Sequence, residues 1–225
     1  MTTLIEDGSL VLFQGDSITD AGRSREDDSA LGNGYAAMAA AWFSALYPEK
    51  NVRFINRGIS GQITSQMLAR FTQDVVELKP QIVVIWGGTN DIARAVDPAV
   101  IQRNITAMCD LAEFHRIKVV LASITPVNDH HKAVNPAYER TIQRPPSAII
   151  AMNSWLQKLA ATRGFVYADY YQATLATDTR LAANLTPDGL HLNADGYRLI
   201  SPVLLAALEK AQNPAQPPAK KRRLF

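Results

Sequence analysis

Four short segments, far apart in the chain, carry residue types that together suit the cleavage of an ester. They are Gly15-Asp16-Ser17-Ile18, Asn56-Arg57-Gly58, Gly87-Gly88-Thr89-Asn90-Asp91 and Asp188-Gly189-Leu190-His191. The first offers a hydroxyl nucleophile, the second and third offer amide donors, and the last offers a base with a carboxylate to orient it. Each segment alone is a common turn, and it is the conjunction of all four that indicates chemistry.

The serine and the histidine are the central pair. Ser17 follows an apolar run, so we expect its hydroxyl at the carboxyl end of a strand, where open α/β sheets bind ligands. His191 is the candidate base, and Asp188, three residues earlier, is the carboxylate that would hold the imidazole in the right tautomer. We expect the amides of Ser17 and Gly58 and the side-chain amide of Asn90 to stabilise the oxyanion.

Other residues that could do chemistry are better explained as structure. The adjacent pair His130-His131 lies in a polar segment without cysteine or many carboxylates, so no metal is assigned. Cys109 is the only cysteine, which excludes an internal disulfide, and it is predicted to be a small buried group. We also predict no cofactor.

Alternating apolar runs and helix-period segments must position these residues. Strands are predicted over residues 9–13, 52–55, 82–86, 118–121 and 165–168, and helices over 35–46, 64–77, 99–114, 148–162 and 194–211. The strands show too little polar alternation to face water on one side, which indicates a buried parallel sheet. The predicted fold class is α/β, a three-layer α/β/α sandwich.

Two segments depart from this alternation. Residues 126–146 contain four prolines and are predicted to be a long irregular insertion over the carboxyl ends of the strands, where it would form a wall facing the substrate. Residues 1–212 are predicted to form the catalytic domain, and 213–225 a flexible basic tail that ends in Lys220-Lys221-Arg222-Arg223-Leu224-Phe225.

Bulk composition excludes several classes of protein. With 225 residues, 47% hydrophobic residues and a net charge of +2, the chain is typical of a single globular domain with no nucleic-acid-binding face. No apolar stretch is long enough to span a membrane, and no secretory leader is present, so we expect a soluble protein. It would be cytoplasmic by default, or secreted if a leader has been removed, and either a monomer or a dimer.

The four segments resemble the conserved blocks of the SGNH hydrolases, a subgroup of the GDSL esterases and lipases. The markers match Ser17, Gly58, Asn90 and His191, with Asp188 in the last block, and the similarity extends over about residues 10–204. Ile18 stands where the family's other name has leucine. The resemblance implies a flavodoxin-like fold with a five-stranded parallel sheet, and metal-free hydrolysis of carboxylic esters or thioesters.

The leading hypothesis is a serine ester hydrolase that works through an acyl-enzyme on a small ester. No long apolar lid segment is present in the sequence, which favours short acyl groups such as acetyl on a carbohydrate or small alcohol. A lysophospholipase or thioesterase acting on longer chains, and an acyltransferase with the same triad, stay open as alternatives. A binding module that has lost turnover is a third possibility, and the full set of site residues argues against it.

Overall fold

The computed structural model describes residues 3–176 and 178–212, which form a five-stranded parallel sheet covered by helices on both faces. The strands are β1 (Leu10–Gly15), β2 (Arg53–Gly58), β3 (Ile82–Trp86), β4 (Lys118–Ala122) and β5 (Val166–Ala168). Their order across the sheet is β2-β1-β3-β4-β5, with every neighbouring pair parallel. The predicted α/β/α sandwich and the flavodoxin-like sheet are therefore confirmed.

Nine α-helices are found in the described residues. They are α1 (Ser17–Asp20), α2 (Tyr35–Leu46), α3 (Thr64–Ala69), α4 (Thr89–Ala93), α5 (Pro98–Phe114), α6 (Arg140–Gln143), α7 (Pro146–Arg163), α8 (Tyr170–Thr174) and α9 (Ala194–Gln212). Short 3₁₀ turns lie at Pro136–Tyr138 and Ala183–Leu185. Helices α2 and α9 cover one face of the sheet, whereas α3, α5 and α7 cover the other.

Successive side chains of each strand enter the two cores alternately. In β1, Val11 and Phe13 pack with the α2 and α9 layer, while Leu10 and Leu12 pack with the opposite layer. Because both faces are buried, the strand is apolar at every one of these positions, which is why the sequence lacks polar alternation.

The strands β1 and β2 run two to three residues further than the apolar pattern predicted. Gln14 of β1 pairs with Arg57 of β2, and Gly15 pairs with Gly58. Gln14 is fully buried and donates from its side chain to the Met67 carbonyl. Polar residues at the carboxyl ends of strands thus continue the sheet, and a prediction that stops at the last apolar residue ends too early.

The helix predicted over residues 64–77 is interrupted. It divides into α3 and a π-helical turn at Thr72–Val76, with Arg70 between them. The Arg70 guanidinium turns inward and donates to the carbonyls of Gly15 and Arg57. Buried Met67 and Phe71 are four residues apart, a spacing that suits either helix type, so the apolar pattern could not reveal the change.

Residues 126–145 lack regular structure except for the 3₁₀ turn and α6, and α7 begins at residue 146. The segment leaves the core after buried Asn128, is exposed over most of 130–139, and returns inward at Arg140 and Arg144. The basic tail predicted over 213–225 lies outside the described residues. The assignment of residues 1–212 to a single catalytic domain stays a prediction.

Candidate active site

The turn that follows β1 presents Ser17 at the carboxyl edge of the sheet. Ser17 is the first residue of α1, and the preceding Asp16 caps that helix by accepting the Ile18 amide at 3.1 Å. Gly15 is required by the packing here, because a Cβ at this position would lie 2.1 Å from the Thr19 hydroxyl oxygen. A tight, capped turn therefore fixes the position of the serine.

Ser17, His191 and Asp188 form a continuous hydrogen-bonded chain. Ser17 Oγ lies 3.0 Å from His191 Nε2, and His191 Nδ1 lies 2.7 Å from Asp188 Oδ2. The other carboxylate oxygen, Asp188 Oδ1, accepts the backbone amides of Leu190 and His191 at 2.9 and 2.8 Å. The structure thus brings together the three side chains that the sequence predicted, in the geometry of a nucleophile, a base and the carboxylate that orients it.

The Asp188 carboxyl is held in its charged form. Burial raises the pKa of this group, but the hydrogen bonds from the His191 ring and from the His191 and Leu190 amides outweigh burial and leave the pKa well below its ordinary value. Arg140 also donates to Asp188 Oδ2, at 3.1 Å. Asp188 therefore stays ionised at any pH at which the base could act.

The Asn90 side chain lies at the start of α4, after β3. It is 8% exposed, and its Nδ2 donates to the Gln62 carbonyl at 3.0 Å, which leaves one of the two hydrogens of the amide uncommitted. Arg144 donates to Asn90 Oδ1 at 3.5 Å, so the oxygen and nitrogen of the amide have distinct neighbours. The Ser17 amide has no hydrogen-bond partner among the described residues.

The geometry around Gly58 differs from our expectation. The Gly58 amide donates to Asn56 Oδ1 at 2.8 Å and is buried. A Cβ at Gly58 would lie 2.2 Å from the Asp20 backbone nitrogen, so the glycine is needed for α1 to pack against β2. An amide that is already bonded is a poor oxyanion donor, and we correct the expectation for Gly58 on this ground.

Gly61, three residues later, has the free amide instead. The other amides nearby are committed: Ile59 to the Gly15 carbonyl, Ser60 to Asp20 Oδ2 and Gln62 to the Ile59 carbonyl. The Gly61 amide has no partner in the described part of the chain, and its φ of +77° is the left-handed conformation that favours glycine. It directly precedes Gln62, whose carbonyl accepts the Asn90 side-chain amide at 3.0 Å.

Carboxylates in the loops and turns after the strands hold those segments in place. Asp20 accepts the amide and hydroxyl of Ser60, and Asp91 accepts both donors of Thr64. Asp169 caps α8 through the Gln172 amide.

Sequence reasoning missed Arg140, Arg144 and Gly61. The two arginines belong to the insertion at 126–146, where no apolar period places their side chains. Gly61 could have been noticed as a second glycine three residues after Gly58, but the choice between the two depends on which amide is already bonded.

None of the other candidates named from the sequence belongs to the hydrogen-bonded chain of Ser17, His191 and Asp188. His131 Nε2 lies 3.1 Å from the Thr186 carbonyl, and no group of three or more potential metal ligands occurs within residues 3–176 and 178–212. Cys109 is buried, as predicted, and Trp86 belongs to the core. Across the described helices, none is long and apolar enough to cross a membrane.

Comparison with known proteins places the chain in a family. A sequence model of the GDSL-like lipase/acylhydrolase family matches residues 13–199. An acetylxylan esterase of Geobacillus stearothermophilus is 43% identical over 97 residues, which is 41% of this chain and 44% of that protein. Esterase TesA of Pseudomonas aeruginosa is 32% identical over 142 residues, covering 60% of this chain and 68% of the esterase.

A solved structure is similar over nearly the whole fold. The crystal structure of a catalytic mutant of Axe2, an acetylxylan esterase from Geobacillus stearothermophilus, superposes with a TM-score of 0.74 at 25% identity and covers 91% of this chain and 95% of that one. The chain aligns with less than half the length of the acetylxylan esterase of 43% identity. From the match to the family model over most of its length, the chain belongs to the GDSL-like lipase/acylhydrolase family.

Proposed function

We propose that this protein is a serine ester hydrolase that cleaves short-chain carboxylic esters through an acyl-enzyme intermediate. The single observation that carries the proposal is the hydrogen-bonded chain from Ser17 to His191 to Asp188, with distances of 3.0 and 2.7 Å. Membership of the acylhydrolase family and the names of the esterase relatives support it.

The mechanism follows from the contacts. His191 Nε2 takes the proton of Ser17 as the serine oxygen attacks the ester carbonyl carbon, and Asp188 stabilises the imidazolium that forms. When the tetrahedral intermediate collapses, the carbon–oxygen bond to the leaving alcohol breaks and His191 returns the proton to that alcohol. Water, activated by the same imidazole, then attacks the acyl-enzyme and releases the acid.

The oxyanion needs donors that are in place before the reaction. We assign this role to the amides of Ser17 and Gly61 and to Asn90 Nδ2, with Gly61 in place of Gly58. The reasons are that the Gly58 amide is bonded to Asn56, whereas the amides of Ser17 and Gly61 have no partner among the described residues.

The proposed substrates are acetyl or similarly short esters of a carbohydrate or small alcohol. The likeness to an acetylxylan esterase favours acetyl groups, and the relatives named as esterases favour hydrolysis over acyl transfer. Ser17 and His191 are partly exposed, so a small ester can reach both without displacing a helix.

A rate series with 4-nitrophenyl acetate, butyrate and octanoate tests the proposal. We expect kcat/KM to be highest for the acetate and Ser17→Ala to lower it by at least about a thousandfold, because the nucleophile is lost. Ser154→Ala, an exposed serine on α7, is the matched control and should behave like the wild type. Turnover retained in Ser17→Ala would contradict the mechanism, and rates that increase with chain length would contradict the short-chain preference.

A further inference from the structure

Two arginines of the insertion reach the active site from the same short helix. Arg140 begins α6 and Arg144 follows its last residue, and the Arg144 amide donates to the Arg140 carbonyl at 2.9 Å. Residues four apart lie on the same side of a helical turn. We call this pair the α6 arginines, and each of them contacts a different part of the proposed machinery.

Arg140 holds the carboxylate that orients the base. Its Nη2 donates to Asp188 Oδ2 at 3.1 Å, and its Nε donates to the Asp188 backbone carbonyl at 3.1 Å. The side chains of Arg140 and Asp188 are only 13% and 15% exposed, so the two residues form a largely buried ion pair and not a solvent-screened surface contact. Two bonds to one residue fix both the side chain and the backbone of Asp188.

Arg144 contacts the side-chain amide of Asn90, which is one of the proposed oxyanion donors. The residue is 5% exposed, and its guanidinium donates to Thr89 Oγ1 at 3.1 Å, to Gln143 Oε1 at 3.2 Å and to Asn90 Oδ1 at 3.5 Å. No carboxylate pairs with it in the described part of the chain. Burial lowers the pKa of Arg144 to about 10, at which the group is still charged at neutral pH.

The contacts with Arg144 and with the Gln62 carbonyl, at 3.5 and 3.0 Å, together set the orientation of the Asn90 amide. An arginine can only donate, so it must face Asn90 Oδ1, and Asn90 Nδ2 then turns to the opposite side. There Nδ2 bonds to the Gln62 carbonyl, next to Gly61. The reversed amide would present an oxygen where the oxyanion forms, which would repel it.

Further hydrogen bonds connect the insertion to the loop that carries Asp188 and His191. Asp129 accepts the backbone amide of Thr141, inside α6, at 2.9 Å. Asn128, the residue before, donates its backbone amide to the Gly189 carbonyl at 3.0 Å. The segment that carries the arginines is thus bonded to the loop that carries Asp188 and His191.

We propose that the α6 arginines act as a positioning clamp, with Arg140 fixing Asp188 and Arg144 fixing Asn90, so that the base and the oxyanion donor keep one relative placement. This inference rests on the proposed ester hydrolysis. The arginines are positioning residues, because each contacts the machinery and neither needs to contact the substrate. The insertion predicted as a substrate-facing wall would then support the site itself.

The proposed clamp predicts an effect on the pH dependence of the reaction as well as on its rate. In the described structure the charged and titratable groups around Asp188 and His191 are Asp16, Arg140, Arg144 and Tyr197. Arg140 shares the oxygen that binds the imidazole, so it offsets part of the negative charge that stabilises the imidazolium. Its removal should therefore move the acidic limb of the kcat/KM profile to higher pH, a change that loss of packing alone would not cause.

Double-mutant cycles test the clamp with 4-nitrophenyl acetate. We expect Arg140→Gln and Arg144→Gln each to lower kcat by about tenfold to a hundredfold with little change in KM, since misplacement of about 1 Å can have such an effect. In an Asp188→Ala background, Arg140→Gln should have less than about a twofold further effect, and Arg144→Gln should likewise have little effect in an Asn90→Ala background. Arg103→Gln, an exposed arginine on α5, is the matched control.

The outcomes separate the clamp from the proposed function. If the wild type hydrolyses the ester and the α6 arginine variants keep full activity, the clamp is overturned. It is also overturned if the arginine substitutions have undiminished effects in the two alanine backgrounds. A wild type without any turnover would contradict the proposed function instead. If a glutamine variant fails to fold, Arg140→Lys and Arg144→Lys carry the same cycles, because lysine keeps the charge but lacks the planar fork.

Discussion

Asp16 and Asp188 are carboxylates within one site whose pKa values are shifted in opposite directions. Burial raises the pKa of Asp16 to about 6, and a single backbone bond from Ile18 offsets only part of that effect. At Asp188 burial acts in the same direction, but three hydrogen bonds from His191 and Leu190 outweigh it and lower the pKa. Asp16 therefore changes its charge close to pH 6.

The raised pKa of Asp16 predicts a pH-dependent effect on stability. The fold favours the protonated form, so the contribution of Asp16 is fully present below its unfolded pKa of 3.8 and is lost as the pH rises through about 6. Asp16→Asn, which is neutral and can still cap α1, should raise the free energy of unfolding at pH 8 by at most about 3 kcal/mol. At pH 4 the gain should nearly vanish.

Urea unfolding of both proteins at pH 4, 6 and 8 measures this difference. Asp97→Asn replaces an exposed cap of α5 and is the matched control, with the same small effect expected at each pH. A gain for Asp16→Asn that is equal at pH 4 and pH 8 would show that desolvation of the charge is not its cause.

At the residue level, the sequence predicted side chains better than backbone donors. The contacts expected among the side chains of Ser17, His191 and Asp188 are present, and these residues could be proposed from the sequence because their chemistry resides in the residue type. Gly61 was missed, since any residue other than proline has an amide and only the hydrogen-bond pattern shows which amide is free. The α6 arginines were missed because an irregular segment has no period that orients its side chains.

Among the elements, the turn that carries Asp188 and His191 depends on a glycine between them. Gly189 has a φ of +81°, and a Cβ there would lie 2.2 Å from the Asn128 carbonyl oxygen. Gly189→Ala should therefore lower the free energy of unfolding by about 1–3 kcal/mol, from backbone strain and from the clash. It should also lower kcat/KM, because Asp188 and His191, on either side of the glycine, must shift.

Gly164 provides the matched control for this substitution. It ends α7 with a φ of +73°, but no atom lies within 4 Å of the position of its Cβ. Gly164→Ala should lower the free energy of unfolding by only about 1 kcal/mol and leave kcat/KM unchanged. Thermal unfolding and ester hydrolysis measure both effects, and equal losses of activity in the two variants would contradict the role of the Asp188–His191 turn.

The elements themselves were largely predictable, and the exceptions have physical reasons. The predicted α2 matches the structure from Tyr35 to Leu46, and β3 matches from Ile82 to Trp86. The ends of β1 and β2 were placed too early because polar side chains continue the sheet there. The π-helical turn was hidden by an apolar spacing that suits both helix types.

In the whole molecule, the strand order explains why distant segments meet. The order β2-β1-β3-β4-β5 reverses direction between β1 and β3, and ligands of open α/β sheets bind at such a switch point. Ser17 follows β1 and Asn90 follows β3, so the topology places them on either side of that crevice. The alternation of strands and helices predicted a parallel sheet, whereas the order of its strands was implied only by the family resemblance.

The most direct test of the account is to map the site of covalent labelling by a fluorophosphonate. If Ser17 is the nucleophile activated by His191, its oxygen will attack phosphorus and expel fluoride, giving one label per chain on the peptide that contains Ser17. Mass spectrometry of the intact protein and of its peptides should show this label in the wild type and none in Ser17→Ala. A label on a different residue, or an enzyme that hydrolyses esters while Ser17 stays unmodified, would contradict the central claim.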